Sequence, residues 1–266
     1  MKVHLLLKKE EIHSEKMAEN NKIAVVLDVL LATTTIVSAL YQRAKDVIPV
    51  KDHKEARELS KMFQKGDYLL AGELHAKPID GFLYPSPLLL SRQVQGKTLI
   101  LSTTNGTVAL RKTAGAQKVY ISSLLNNTAT AKALLHHNSS STIVIICSGN
   151  SGEVSLEDVY GAGHLITALV ELGGEPLQLS DAAQTAYYLY KGNRQNAYQV
   201  LQSSYVGNLF ARYGLFDDLD FASAVDAAPV VAVLKDGKAT IEQVHTQQQS
   251  KTQKGRELSW HKPVRE

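Results

Sequence analysis

A single cysteine, Cys147, has no partner for an internal disulfide and excludes an all-cysteine zinc site. Aromatic residues make up only 6% of the chain and never alternate with basic ones, and no long basic run occurs. Nothing therefore supports nucleic-acid binding. Neither sign of charge dominates: 29 basic against 26 acidic side chains leave a formal +3, which suits a small anionic ligand as well as an ordinary surface. No apolar run reaches the roughly 20 residues that span a bilayer. The start, MKVHLLLKKEEIHSEK, turns to charged residues too soon for a signal peptide. These absences predict a cytoplasmic protein with no membrane and no nucleic-acid partner. Metalloprotease HExxH, nucleophile-elbow GxSxG and paired CxxC patterns are missing too, and no Pro/Ser linker forces a domain cut.

What is present is an alternation. Short β-branched runs at 22–30, 46–50, 67–72, 97–102, 118–122 and 142–149 read as buried strands. Helical patterns lie between them at 35–43, 53–64, 104–113 and 127–136, with a further helix at 155–174 closed by Gly173-Gly174. This predicts an α/β domain built on a largely parallel sheet. Residues 181–213 are helical in pattern, and Asp236-Gly237 between two apolar runs predicts a hairpin within 228–244. We expect one elaborated domain over 1–244, with a strand-helix core at about 22–174, a helical and hairpin elaboration at 175–244, and a polar tail at 245–266.

Polar residues gather where strands hand over to helices, and in α/β sheets ligands bind at those ends. The run IAVVLDVL delivers Asp28 and then Thr33, Thr34 and Thr35. The run TLIL delivers Ser102, Thr103, Thr104, Asn105, Gly106 and Thr107. TIVIIC delivers Ser148, Gly149, Asn150, Ser151 and Gly152, followed by Ser155, Glu157 and Asp158. Taken locally, LSTTNGT (101–107) offers a hairpin turn at Asn105-Gly106. Its flanks, an apolar strand before and the helix-period TVALRKTA after, favour a strand-to-helix anion loop instead. LATTTIVSAL (31–40) aligns with LSTTNGTVAL (101–110) without a gap, although so short a match does not establish duplication.

Helix capping is the ordinary reading of Ser and Thr at such positions. SLED (155–158) matches a capping box, with Ser155 as cap and Asp158 reaching back. Asp28 on an apolar strand is harder to dismiss, because a buried carboxylate needs a partner or a metal. SGNSG suits close backbone approach to an anion but is not a P-loop, which ends in Lys-Ser/Thr. His164 reads as a packed residue, and FDDLD (216–220) as a solvated turn, with Asp217 or Asp218 reaching the site as the lesser alternative. A carboxylate, a threonine cluster, a glycine-rich nest and a second carboxylate pair suggest magnesium and phosphate, since magnesium takes one or two protein carboxylates plus waters and phosphate oxygens.

The blocks DVLLATTTIVSAL, LSTTNGTVAL, LLNNTATA and CSGNSGEVSLEDVYGAG, continued by LSDAAQTA, resemble those of the 2-phosphosulfolactate phosphatase (ComB-like) family. The resemblance implies a three-layer α/β/α sandwich with a mixed, largely parallel sheet. It also implies a Mg2+-dependent phosphatase converting 2-phospho-3-sulfolactate to 3-sulfolactate and phosphate, toward coenzyme M biosynthesis or sulfolactate. On this view Asp28, Glu157 and Asp158 are catalytic, Asp28, Glu73 and Asp158 hold the metal, and Asn126 joins the threonine and glycine blocks in binding a small phosphorylated acid. The sequence departs from the family pattern in three places. Leu31 and Leu74 stand where arginines are usual, and GFLYPSP, with Leu83 to Pro87, lacks a usual Asp and one residue. Arginines bind carboxylate, sulfonate and phosphate bidentately, and Lys77, His75 and Arg111 are the candidates to replace them.

Three readings stay open on the sequence: this phosphatase, with water attack or a phosphoenzyme through Asp28 or a threonine; a non-catalytic descendant binding an anion or a partner; and a phosphotransferase on another small ester. A homo-oligomer is also left open.

Overall fold

β-branched runs that are apolar at successive positions can be buried on both faces, and this sequence supplies five such runs for the middle of one sheet. The computed structural model describes residues 1–19, 21–137 and 140–242. Its strands are β1 (Lys2–Leu6), β2 (Lys22–Leu27), β3 (Asp46–Val50), β4 (Tyr68–Leu74), β5 (Lys77–Pro78) and β6 (Thr98–Ser102). They continue with β7 (Lys118–Ser122), β8 (Thr142–Cys147), β9 (Gln178–Leu179), β10 (Ala232–Lys235) and β11 (Lys238–Ile241). The helices in the first half are α1 (Ser14–Met17), α2 (Ala32–Tyr41), α3 (His53–Ser60), α4 (Pro87–Ser91) and α5 (Gly106–Thr113). Those that follow are α6 (Asn127–Leu135), α7 (Leu156–Leu172), α8 (Asp181–Gly192), α9 (Ala197–Ser203), α10 (Tyr205–Arg212) and α11 (Phe216–Ala222).

The sheet order is β5-β4-β6-β3-β11-β10-β7-β2-β8-β1-β9. Pairing is parallel within β4-β6-β3 and within β7-β2-β8-β1-β9. The β10–β11 hairpin lies between these blocks and pairs antiparallel on both sides, which makes the sheet mixed. Three successive antiparallel pairings reverse the strand sense from one block to the other.

Strand alternation builds two cores from the same strands. Ala24 and Val26 of β2 and Val144 and Ile146 of β8 face a cluster that includes Ile36, Leu40 and Leu110 of α2 and α5. Ile23, Val25, Ile143 and Ile145 face the opposite cluster, with Leu134 of α6, Leu165 of α7 and Ala183 of α8. Helices therefore cover both faces, as a three-layer α/β/α arrangement requires. α2 is the most enclosed helix: nine of its ten residues are buried.

The expected strands form with slightly shifted ends, and 46–50 and 118–122 form as read. β1 joins the sheet beside β8, a placement that the opening residues did not signal. FDDLD, expected as a solvated turn, is instead part of α11, and Asp218 is buried with its Oδ1 accepting a 2.6 Å hydrogen bond from Ser86 Oγ. An acidic run reads as solvated only until a tertiary partner is found for one of its carboxylates. The tail at 245–266 lies outside the described residues.

Candidate active site

Asp28 follows β2 directly, and its Oδ1 accepts the Ala32 backbone N–H at 3.2 Å, on the first residue of α2. The side chain is nearly buried at 6% exposure. Gly106, the first residue of α5, packs against it: a Cβ there would lie 2.6 Å from Asp28 Oδ2 and 2.6 Å from the Ala32 Cβ. The Asn105-Gly106 pair thus opens a helix and does not turn a hairpin, and its glycine makes room for the carboxylate of the neighbouring junction.

These junctions enclose a cavity of about 120 Å³. Asp28, Glu73, Thr103, Thr104, Asn105 and Asn150 supply its polar lining, with Ser151 and His75 beside them. Glu73 is held by its neighbours: Oε1 accepts from Thr104 N at 2.7 Å, and Oε2 accepts from Thr104 Oγ1 at 3.1 Å and from Ala76 N at 2.6 Å. The turn that carries His75 and Ala76 places both in the left-handed region, with φ of 51° and 61°. His75 N donates to Thr104 Oγ1 at 3.0 Å, so the hydroxyl ties this turn to the loop.

Most of the expected anion-binding hydroxyls instead hold the protein's own backbone. Thr33 Oγ1 donates to Asp28 O and accepts from Asp28 N, both at 2.9 Å. Thr34 Oγ1 donates to Val29 O at 2.8 Å, and Thr35 Oγ1 to Pro85 O at 2.6 Å. None of the three lines the cavity. Thr103 and Thr107 close the other loop reciprocally: Thr107 N donates to Thr103 Oγ1 at 3.2 Å, and Thr103 N to Thr107 Oγ1 at 3.2 Å. Asn126 is fully buried away from the cavity, donating to Ile121 O and Val230 O. Ser148 is also buried, and its backbone N–H donates to Leu27 O.

Asp158 does not reach back in a capping box. Its Oδ1 accepts from Val29 N at 2.8 Å and its Oδ2 from Gly149 N at 3.1 Å. It therefore joins the residue after Asp28 to the residue before Asn150, standing behind the cavity wall. Ser155 is the N-cap of α7 but makes no side-chain cap bond. Glu157 is buried at 2% exposure and likewise does not line the cavity.

Burial governs the electrostatics. It raises the Asp28 carboxyl to about 7, with the charges of Glu73 and Glu157 adding to the effect. Burial also pushes up Asp158, assisted by Asp28 and Glu157, and raises Glu157, which the Ser155 and Ser204 hydroxyls partly offset. Among the described residues no three His, Cys, Asp or Glu are grouped to hold a metal. Asp28 and Glu73 share the cavity as a pair, a donor set that fits magnesium, which takes one or two protein carboxylates.

Of the three basic residues expected to replace the arginines, only His75 lines the cavity. Arg111 pairs with Glu55 at 3.5 Å, and Lys77 sits exposed on β5. Two lysines not singled out in the sequence approach instead: Lys9 Nζ donates to Asn105 Oδ1 at 2.7 Å, and Lys8 Nζ to Gly152 O at 2.8 Å. The remaining wall is apolar and includes Leu30, Leu31, Val206, Leu209 and Phe210, with the Tyr84 and Tyr205 rings. Sequence reasoning missed the α10 part of this wall. Its 205, 206, 209 and 210 spacing marks one helix face, but Tyr205 lies 54 residues beyond Ser151 and 177 beyond Asp28.

An α/β sheet with two carboxylates in one cavity, Asp28 at a strand-to-helix junction and Glu73 near the end of β4, suits a protein that handles a phosphorylated small molecule. The family model for 2-phosphosulfolactate phosphatases matches residues 6–237. A probable 2-phosphosulfolactate phosphatase of Caldanaerobacter subterraneus subsp. tengcongensis is 38% identical over 85% of this chain and 92% of its own length. Proteins named in the same way from Clostridium beijerinckii and Clostridium perfringens are 34% and 38% identical, over 91% and 90% of this chain and 100% and 95% of their own lengths. The chain belongs to the 2-phosphosulfolactate phosphatase family, a family of phosphoric monoester hydrolases. Among the described residues no helix is long and apolar enough to cross a membrane.

Proposed function

We propose that the Asp28–Glu73 cavity is the active site of a magnesium-dependent phosphatase acting on a small anionic phosphate ester. The observation that carries this reading is the meeting of two carboxylates from separate strand ends with the Thr103–Asn105 loop and Asn150. The N-terminus of α5 opens at that loop and favours a phosphate group there. Glu73, fixed by three donors, and Asp28 would hold the cation. Bound magnesium would polarise the phosphoryl oxygens and lower the pKa of an attacking water. Asp28 works in its ionised form, so activity falls as pH drops through about 7. Added magnesium competes with the proton and moves that midpoint down.

The finer assignment, hydrolysis of 2-phospho-3-sulfolactate to 3-sulfolactate and phosphate, is supported by the names of the relatives; a cytoplasmic route toward coenzyme M or sulfolactate comes from the resemblance of the sequence blocks alone. Phosphate release from that ester is measured with magnesium and with chelator, on the wild type and on Asp28→Asn. Chelation should silence the wild type, and Asp28→Asn should lose about 10²–10⁴-fold in turnover. Undiminished turnover in the variant removes Asp28 from the chemistry.

A further inference from the structure

The cavity has two carboxylates and no lysine or arginine in its lining. Lys9, which reaches the Asn105 loop, is engaged by Asn105 Oδ1 and, at 3.0 Å, by Glu10 Oε1. Leu30, Leu31, Val206, Leu209 and Phe210 line the same cavity. Leu30, Leu31 and Phe210 are 8%, 7% and 3% exposed, so these side chains are set into the protein and are not loose cover. Sulfonates and carboxylates on a ligand are ordinarily held by guanidinium forks; beyond the two carboxylates that would hold the cation, the lining offers them only His75, neutral polar groups and hydrocarbon. Desolvating such a group without a partner is unfavourable. An alkyl or aryl group in the same place would bury apolar surface against the wall.

We propose, resting on the phosphatase reading, that this enzyme's specificity is for phosphate monoesters of apolar alcohols, with the leaving group seated against Leu31 and the α10 face. The phosphoryl group lies at Asp28, Glu73 and the Thr103–Asn105 loop. The bond broken is the phosphorus–oxygen bond to the alcohol. Water supplies the new oxygen, and the alcohol leaves with a proton.

The test compares kcat/KM for methyl, propyl, pentyl and phenyl phosphate with that for 2-phospho-3-sulfolactate, with magnesium present. In parallel, the matching alkylphosphonates, which cannot be hydrolysed, are scored by thermal shift and by inhibition. Values should rise about fourfold per methylene and level off once the cavity is filled, and the apolar esters should exceed phosphosulfolactate. Leu31→Arg, with the half-buried Leu209→Lys as a second variant that does not disturb α2, should reduce the apolar preference by about tenfold or more.

If phosphosulfolactate is the better substrate and chain length has no effect, the specificity proposal is overturned while the phosphatase reading stands. If no ester is hydrolysed but longer phosphonates stabilise the protein increasingly, the phosphatase reading fails and the apolar site remains. No turnover and no stabilisation overturns both.

Discussion

Asp28 carries two opposed demands, since burial disfavours its charge while the proposed chemistry requires that charge. Its raised pKa has a consequence for stability. Between the ordinary carboxylate range near 4 and about 7, the folded protein binds more protons than the unfolded chain, so stability falls as pH rises through that window. Asp28→Asn is neutral at every pH and keeps an oxygen to accept from Ala32 N. In chelator, its melting temperature should exceed that of the wild type at pH 8 and converge with it near pH 4. Each kcal/mol relieved corresponds to roughly 2–4 °C. Parallel pH curves for the two proteins would show that Asp28 is not strained. Its position after a buried strand was evident from sequence alone, because an aspartate there must have a partner. That Glu73, 45 residues away, shares its cavity was not evident, since only folding brings the two together; within the chain the carboxylate is partnered by the Ala32 N–H.

Single helices and loops act here as positioning devices. α7 carries Glu157 and Asp158 in its first turn; the SLED pattern predicts Asp158 as the far end of a capping box, and the resemblance implies a catalytic role for both. Asp158 instead accepts the N–H groups of Val29 and Gly149, fixing the end of β2 to the end of β8. Asp158→Ala leaves both buried donors unpaired at about 1–3 kcal/mol each, so the melting temperature should drop and turnover should fall. Magnesium and substrate should still stabilise the variant detectably in a thermal-shift titration, because Asp158 does not line the cavity. A variant that is fully stable yet inactive would place Asp158 in the chemistry itself. The Thr33–Thr35 run shows the same limit. Three hydroxyls at a helix start look alike in sequence whether they face a ligand or their own backbone, and all three here bond backbone oxygens.

Across the whole molecule the C-terminal hairpin joins the two parallel blocks, because β11 pairs with β3 and β10 with β7. The turn needs backbone in the left-handed region at Asp236 (φ 50°) and Gly237 (φ 76°). Gly237→Val places a β-branched residue there at about 1–2 kcal/mol. Since the hairpin lies in the middle of the sheet, unfolding should remain one transition, shifted down by about 2–8 °C and coincident by far-UV and near-UV circular dichroism. A separate early transition would mean that the hairpin melts independently of the blocks it joins.

By itself the sequence determined the alternation of strands and helices, the turn at Asp236-Gly237 and the gathering of polar residues at strand ends. These are local properties, set by hydrophobic period and turn chemistry over a few residues. It also carried enough motif blocks, from DVLLATTT to SLEDVYGAG, to indicate the family. Tertiary structure decided where the hairpin inserts, that Lys8 and Lys9 approach the loops, and that α10 supplies an apolar wall. It also decided whether each hydroxyl and carboxylate at a junction faces the cavity or the backbone. Those outcomes depend on contacts between segments tens to hundreds of residues apart, for which local pattern holds no signal. LSTTNGT shows both sides: its flanks indicated a strand-to-helix loop, but only the fold showed that Gly106 is small to make room for Asp28.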